Sequence, residues 1–291
     1  MKMYTYDKIK DQFISMNETY GQYFPQKFTD IANKIDLYSE SILMQDILKK
    51  ISEIANTDQH VIIIGEIGTG KKQIAKFIHS KSEIRLGPFH IFYCIDIDES
   101  EYKEAFWEQI HVDDDHITLK YDALEKAGHG ILFLDQFSEL SHQYMLEIIE
   151  SYISGCNQLF RYNHLASPRI ILSVNQERFQ TLNKSDTWKK ILNMLNPISI
   201  MLPPLRERKE DIPAMINLFL EELKTIGEDW NNLEISEEAV EECQNYNWPG
   251  NIRQLKNAII QGAILSHGKV ITSKHFPFSM KWKLPYSTDS D

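Results

Sequence analysis

Short, mostly apolar runs alternate with longer amphipathic stretches over the first two thirds of the chain. The apolar runs lie at residues 60–64, 89–95, 131–134, 170–174 and 198–202, and glycine or polar residues bound them. Runs of this kind predict strands that are covered on both faces in a parallel sheet. Helical spacing of apolar residues over 42–54, 71–82, 141–153 and 187–195 predicts helices around and between the strands. The alternation therefore predicts an α/β fold in which helices cover a mostly parallel sheet.

The pattern changes after Pro203 and Pro204. Strand signals stop there, and helical spacing continues over residues 210–226, 236–246 and 251–267. We therefore predict a small all-helical subdomain after the α/β part. The expected divisions are an N-terminal arm (1–34), an α/β subdomain (35–205), a helical subdomain (206–278) and a flexible tail (279–291).

Composition narrows the functional classes. The 291 residues are 42% apolar and carry a formal net charge of −11 at pH 7, which indicates a folded protein whose surface repels nucleic-acid phosphates on average. Cys94, Cys156 and Cys243 have no metal-ligand spacing, and we interpret them as buried thiols in a reducing compartment. No stretch approaches the ~20 apolar residues that cross a bilayer. We therefore expect a cytoplasmic protein without direct DNA binding and without a membrane partner.

A glycine-rich turn follows the first predicted strand and opens a helix. It consists of Gly65, Glu66, Ile67, Gly68, Thr69, Gly70, Lys71 and Lys72. In this context a G-x-x-x-x-G-K pattern predicts a phosphate-binding loop, in which backbone N–H groups, the Lys71 charge and the helix N-terminus bind phosphates. Lys72 stands where the general pattern has a Ser or Thr that coordinates Mg²⁺, which weakens metal ligation by this residue. The alternative is a glycine-rich turn without a ligand.

Three later segments also carry recognisable motifs, and they lie at residues 128–135, 202–213 and 248–255. Together with the loop they resemble the central domain of bacterial enhancer-binding proteins, the AAA+ ATPases that remodel sigma-54 RNA polymerase. The resemblance covers about residues 37–278. It implies an AAA+ P-loop NTPase fold with a small C-terminal all-helical lid subdomain, and ATP with Mg²⁺ as ligands. In that family a non-hydroxyl residue also commonly follows the loop lysine.

The resemblance assigns roles to matching residues. Besides residues 65–72, the cofactor-binding candidates are Asn175, as a polar sensor near the γ-phosphate, and Arg253, as an arginine that reaches the nucleotide from the lid. Asp135 would organise Mg²⁺ through the nucleotide. Each has an alternative: Asp135 as a helix cap, Asn175 as a turn residue and Arg253 as a solvated helix residue. Arg206 and Arg208 are interpreted as structural ion-pairing residues.

Two departures from the family pattern concern hydrolysis. Gln136 stands where the family has the Glu that polarises the attacking water, and an amide cannot take a proton at neutral pH. The positions of the arginine fingers hold Trp188 and Met194, with only Lys189 and Lys190 nearby as positive charges. Lysine lacks the planar fork of arginine and would serve poorly as a substitute.

A third departure concerns the loop that contacts sigma-54 in the family. By spacing it falls on residues 111–116, where three carboxylates (Asp113, Asp114, Asp115) are flanked by His111 and His116. We interpret the segment as a solvated acidic loop, with a metal cluster as the alternative. It should not make the family's contact with sigma-54.

These features lead to three hypotheses. The first is an ATP-binding AAA+ protein that regulates transcription through protein contacts with weak or absent hydrolysis, in a ring with itself or an active relative. The second is a slow ATPase that remodels a target other than sigma-54, with Lys189 or Lys190 replacing the fingers. The third is a structural module without nucleotide. We also expect neither a receiver domain nor a helix-turn-helix domain.

Overall fold

The computed structural model describes residues 39–95, 108–113, 116–120, 122–157, 167–226 and 230–276, so that the predicted arm and tail lie outside the described residues. The strands of the α/β part are β1 (Val61–Gly65), β2 (Phe89–Tyr93), β3 (Glu108–Asp113), β4 (His116–Lys120), β5 (Ile131–Asp135), β6 (Arg169–Asn175) and β7 (Ile198–Met201). Five of them form one parallel sheet in the order β2-β5-β6-β1-β7. This confirms the predicted α/β fold class.

The central strands are buried because helices cover both faces of the sheet. Every residue of β1 is buried, and in β5 and β6 only the last residue, Asp135 or Asn175, is partly exposed. These two polar residues therefore lie at the carboxyl edge of the sheet, where ligands bind in open α/β folds.

Six helices of the α/β part lie within the described residues. They are α1 (Ile42–Ala55), α2 (Lys71–Lys81), α3 (Asp122–Ala127), α4 (His142–Gly155), α5 (Gln176–Leu182) and α6 (Asp186–Leu195). Four were predicted, whereas α3 and α5 are too short to show a helical period. Serines cap α4 and α6, since Ser141 Oγ accepts from Tyr144 N–H and Ser185 Oγ accepts from Trp188 N–H.

The segment predicted as an acidic loop is a β-hairpin. Strands β3 and β4 pair antiparallel, with an irregularity between His111 and Asp113, and Asp113 lies opposite His116. Asp114 and Asp115 lie outside the described residues. The prediction of a loop over residues 111–113 is wrong, because backbone pairing with β4 holds these residues in a strand.

The helical subdomain contains α7 (Ile212–Lys224), α8 (Glu237–Asn245) and α9 (Asn251–Leu265), as the sequence predicts. It also contains two short strands, β8 (Glu234–Ile235) and β9 (Val270–Ile271), which pair in parallel. The expectation that no strand follows Pro204 is therefore wrong. Strands of two residues carry no detectable period, so the sequence could not reveal them. Trp248 is fully buried in the separate apolar core of this subdomain.

Two further sequence predictions concern the cysteines and membrane-spanning helices. Cys94 and Cys243 are buried free thiols, as predicted, but Cys156 is only partly buried. Burial raises the pKa of the Cys243 thiol to about 12. Over the part of the chain that the structure describes, none of the helices combines the length and the apolar character needed to span a bilayer.

Candidate functional site

The predicted phosphate loop joins the end of β1 to the start of α2. Two of its glycines have left-handed backbone angles, with φ of 80° at Gly68 and 99° at Gly70, which glycine adopts without steric cost. Lys71 is the first residue of α2, and its Nζ donates to the carbonyl oxygens of Gly65 (2.7 Å) and Glu66 (2.9 Å). The loop therefore places an ammonium group and a helix N-terminus beside its curled backbone, an arrangement that suits an anion.

Asp135 lies at the end of β5, where a serine on the neighbouring strand orients its carboxylate. Ser173 Oγ donates to Asp135 Oδ1 at 2.7 Å and accepts from the backbone N–H of Gln136 at 2.7 Å. Gln136 itself has a φ of 58°, in the left-handed region. The carboxylate bonds to Ser173, which gives no support to the alternative that Asp135 caps a helix. Sequence analysis missed Ser173, since a hydroxyl inside a strand produces no pattern.

Lys71 connects the electrostatics of the loop to both neighbours. Burial lowers the pKa of Lys71 to about 8; Asp135 acts in the opposite direction, and the positive charge of Arg253 lowers it again. The charges of Asp135 and Arg253 therefore both act on the Lys71 ammonium. All three residues are among the site residues that the sequence predicted.

Arg253 is brought to the loop by the first turn of α9. The backbone N–H of Ile252 donates to the carbonyl oxygen of Gly68 at 3.0 Å. A Cβ at Gly68 would collide with the carbonyl oxygen of Gly250 and lie 3.2 Å from the Arg253 Cβ. Only glycine fits this contact, which fixes the start of α9 against the phosphate loop. Arg253 is exposed there, so its guanidinium is accessible to a ligand.

Asn251, the residue that opens α9, is a buried junction between the loop and the helical subdomain. Its Oδ1 accepts from the N–H of Leu205 (2.7 Å), and its Nδ2 donates to Ile67 O (3.0 Å) and Glu66 Oε2 (3.1 Å). The side chain is fully buried and the backbone has a φ of 52°. Asparagine tolerates this angle better than most residues do. The sequence marked the segment 248–255 but not the role of this amide.

Two arginines complete the contact between the loop and the helical subdomain. Arg206 forms a bidentate ion pair with Glu66, with N···O distances of 2.7 and 3.0 Å, which confirms its predicted role. Arg208, also predicted to form an ion pair, is buried and donates to the carbonyl oxygen of Thr69 at 2.8 Å. That prediction is corrected, because the partner is a backbone carbonyl and the Asp211 charge acts only from nearby. Each loop residue over 66–69 thus bonds to the helical subdomain.

Asn175 lies at the end of β6, one strand away from Asp135. Its Oδ1 accepts from Glu177 N–H at 3.0 Å, which caps the short helix α5. Its own N–H donates to Ser138 Oγ at 3.0 Å. The capping contact favours the turn-residue alternative for the side-chain oxygen, and the sensor role remains a prediction.

Lys72 extends along the carboxyl edge of the sheet toward the end of β2. Its Nζ lies 3.5 Å from the hydroxyl of Tyr93, at the end of β2, and 5.7 Å from the ring centroid. Ile67 has an exposed side chain (56%), so its contribution to the loop is its backbone. The hydroxyl of the loop residue Thr69 donates to Glu66 O at 2.8 Å.

The positions expected for arginine fingers lie on α6. Trp188 is fully buried, with ring centroids 6.4 Å from those of Phe137 and Phe179, and Met194 packs partly buried against the same core. The neighbouring lysines already form ion pairs within the subunit. Lys189 pairs with Asp186 at 2.9 Å, and Lys190 pairs with Glu150 at 2.8 Å.

The metal cluster weighed as an alternative for the acidic hairpin involves side chains outside those that the structure describes. Among the residues whose side chains the structure describes, no group of three or more His, Cys, Asp or Glu residues is arranged to hold a metal ion. The side chains of residues 108–120 lie outside that set, so the metal alternative stays a prediction.

Comparison with protein families gives two matches along the chain. Residues 37–200 match the sigma-54 interaction domain, and residues 206–290 match an AAA+ ATPase lid domain. The regulatory protein AtoC of Escherichia coli (strain K12) is 32% identical over 249 residues, which cover 83% of this chain and 53% of AtoC. The anaerobic nitric oxide reductase transcription regulator NorR of Aliivibrio fischeri is 28% identical over 253 residues, covering 84% of this chain and 49% of NorR. The chain spans about half the length of these curated relatives.

Solved structures share the fold. NtrX from Brucella abortus in complex with ADP superposes with a TM-score of 0.70 at 22% identity, covering 97% of this chain and 65% of NtrX. The complex of the same protein with ATP gives a TM-score of 0.68, also at 22% identity, covering 96% of this chain and 64% of NtrX. At this identity the likeness shows the fold.

Proposed function

The chain belongs to the sigma-54 interaction family of AAA+ proteins, and on that premise we propose that it binds ATP and regulates transcription through protein contacts, with weak or absent ATP hydrolysis. The observation that carries the proposal is a phosphate loop that contains Lys71 and against which the start of α9 places Arg253. Asp135 and the amide residue Gln136 lie at the same carboxyl edge of the sheet. This arrangement suits the binding of a nucleoside triphosphate but lacks a base that would activate the attacking water.

The geometry supports ATP as the ligand. The N-terminus of α2, the Lys71 ammonium and the Arg253 guanidinium would together bind a polyphosphate. The structurally similar NtrX has been crystallised with both ATP and ADP. Asp135, oriented by Ser173, is the carboxylate at this edge that would hold a Mg²⁺ ion arriving with the nucleotide. When bound, such an ion would neutralise part of the negative charge of the phosphates.

Weak or absent hydrolysis follows from the residue after Asp135. A general base contributes roughly 10²- to 10⁴-fold to such a reaction, and the carboxamide of Gln136 cannot accept the proton. The burial of Trp188 removes one finger position from any subunit surface. Lys189 and Lys190 lack the planar fork of arginine and are therefore poor substitutes, which disfavours the hypothesis of a slow ATPase.

The partners follow from the family rather than from the site. We propose a cytoplasmic protein that joins an AAA+ ring with itself or an active relative, and contacts the transcription machinery. Its acidic hairpin, β3–β4, replaces the family's loop that contacts sigma-54, so a different protein surface is the expected target. The net charge of −11 argues against direct DNA binding.

Phosphate release at saturating ATP, measured over a series of protein concentrations, tests the proposal. We expect weak or no turnover that does not rise with protein concentration, and ring-sized particles in ATP by light scattering, alone or with an active sigma-54 activator added. Turnover that rises with protein concentration and disappears in Lys71→Ala would instead identify an assembling ATPase. Failure to assemble under every condition would contradict the proposal that the chain joins an AAA+ ring.

A further inference from the structure

A second cation stands next to Lys71 and has no role in the site described so far. Lys72 follows Lys71 in the first turn of α2, and its side chain is half-buried. Its Nζ lies within 3.5 Å of the Tyr93 hydroxyl and 5.7 Å of the ring centroid, inside cation–π range. The two lysines therefore point in different directions, one into the loop and one along the carboxyl edge of the sheet.

The strand order shows what lies along that edge. Lys72 starts beside the end of β1, and Tyr93 ends β2, with β6 and β5 between them. Neighbouring strands lie about 4.8 Å apart, so the side chain reaches across the carboxyl edge toward β5. Tyr93 is the register partner of Asp135, and Cys94 N–H donates to Asp135 O at 2.9 Å. The Lys72 ammonium thus lies on the Asp135 side of the phosphate loop.

This is the side on which a phosphate-loop protein holds Mg²⁺. The ion bridges the β- and γ-phosphates and is bound by a hydroxyl after the loop lysine and a carboxylate at a strand end. Here the carboxylate is present, but one of its oxygens already accepts from Ser173, and the hydroxyl position carries an ammonium. A non-hydroxyl residue is ordinary in this family, whereas a positive charge directed at the metal side repels a divalent cation and attracts phosphate.

We propose that Lys72 itself neutralises the β- and γ-phosphates, so that the chain binds ATP without requiring a divalent cation. This inference rests on the proposed ATP binding and concerns the form of the ligand. An ammonium provides three donors on a flexible stem, enough to contact phosphate oxygens beside those bound by Lys71. Mg²⁺ can still accompany the nucleotide through Asp135, but it adds little to affinity.

Isothermal titration of ATP tests this with excess MgCl₂ in one series and excess EDTA in the other. The wild-type dissociation constants should agree within about threefold. Lys72→Gln removes the charge at similar length and should weaken binding in EDTA by about tenfold or more, the loss expected for one charge-assisted contact. Lys72→Arg should keep binding in EDTA. Lys81→Gln, on the same helix about 14 Å away by helical rise, is the matched control and should behave as wild type.

Each outcome separates this inference from the proposed function. ATP binding by the wild type only with Mg²⁺ overturns the inference and leaves the proposed function intact. Equal binding by Lys72→Gln in both series overturns the assignment to Lys72. No binding in either series removes ATP binding itself. Thermal unfolding of each variant, with Lys72 only half-buried, is expected to match the wild type.

Discussion

At the scale of single residues, Lys71 carries the charge on which phosphate binding depends. Its place in the sequence pattern was sufficient to predict it, because the loop motif, the strand before it and the helix after it agree. The pattern could not reveal Ser173 or Asn251, whose contacts with Asp135 and Glu66 come from residues 38 and 185 positions away in the chain. Such pairings depend on the folded chain rather than on local sequence.

The lowered pKa of Lys71 predicts a pH-dependent affinity. Below about pH 8 the ammonium is protonated and binds phosphate; above it, affinity should fall by up to about tenfold per pH unit. ATP titrations between pH 7 and 9.5 would measure this fall. Lys71→Ala, without the group, should show weak binding with little change over the range. A wild-type affinity that stays constant to pH 9.5 would contradict the account.

Restoring a carboxylate at Gln136 should restore part of the missing chemistry. Gln136→Glu is expected to raise phosphate release at least about tenfold, toward the 10²- to 10⁴-fold that a general base contributes. Gln136→Met, of similar length and without an acid, is the control and should show no gain. Equal rates for the two variants would mean that the base is not the missing part.

At the scale of elements, α6 and α9 show how a matching position can change its role. Helix α6 was predicted almost to the residue, yet only the structure shows that Trp188 is buried in the core beside Phe137 and Phe179. Strands β8 and β9 escaped prediction because two residues show no period. Strands β3 and β4 do alternate apolar and polar residues, at Ile110 and Val112 and again at Ile117 and Leu119, but the acidic run between them was interpreted as a loop. Helix α9 was predicted from its motif, whereas its attachment to the phosphate loop was not.

An arginine placed at Trp188 should destabilise the folded protein rather than supply the missing arginine finger. Trp188→Arg replaces a fully buried ring with a charge and is expected to lower the free energy of unfolding by about 4 kcal/mol or more. Urea denaturation measures this loss. Lys189→Arg, on the exposed side of the same helix, should leave the unfolding free energy unchanged within error. A Trp188→Arg protein as stable as the wild type would show that the site is open to solvent.

Substitutions at Asn251 should reveal both its side chain and its backbone. Asn251→Ala leaves the buried Leu205 N–H without its partner, at a cost of about 1–3 kcal/mol, and adds about 1 kcal/mol of strain at φ 52°. Asn251→Gly loses the same bonds without the strain. Urea unfolding should therefore rank the wild type above Gly and Gly above Ala, and the reverse order for the two variants would refute the strain argument.

At the scale of the whole molecule, the α/β part and the helical subdomain meet at the phosphate loop. Residues 66–69 make polar contacts with Arg206, Arg208, Asn251 and Ile252. A ligand in the loop would therefore contact a segment that is bonded to both the α/β part and the helical subdomain. The sequence predicted the fold class and both parts, because strand and helix periods are local. It could not predict this junction, since the partners lie about 140 to 185 positions apart.

Titration of ATP against the wild type and Lys71→Ala at pH 7, by calorimetry with Mg²⁺ present, tests the central claim most directly. If ATP binds at the phosphate loop through Lys71, we expect saturable one-site binding by the wild type. Lys71→Ala should bind at least about tenfold more weakly, because it loses one charge-assisted contact. Equal binding by both proteins would place the nucleotide elsewhere. No binding by the wild type would contradict the account and leave the loop as a turn without a ligand.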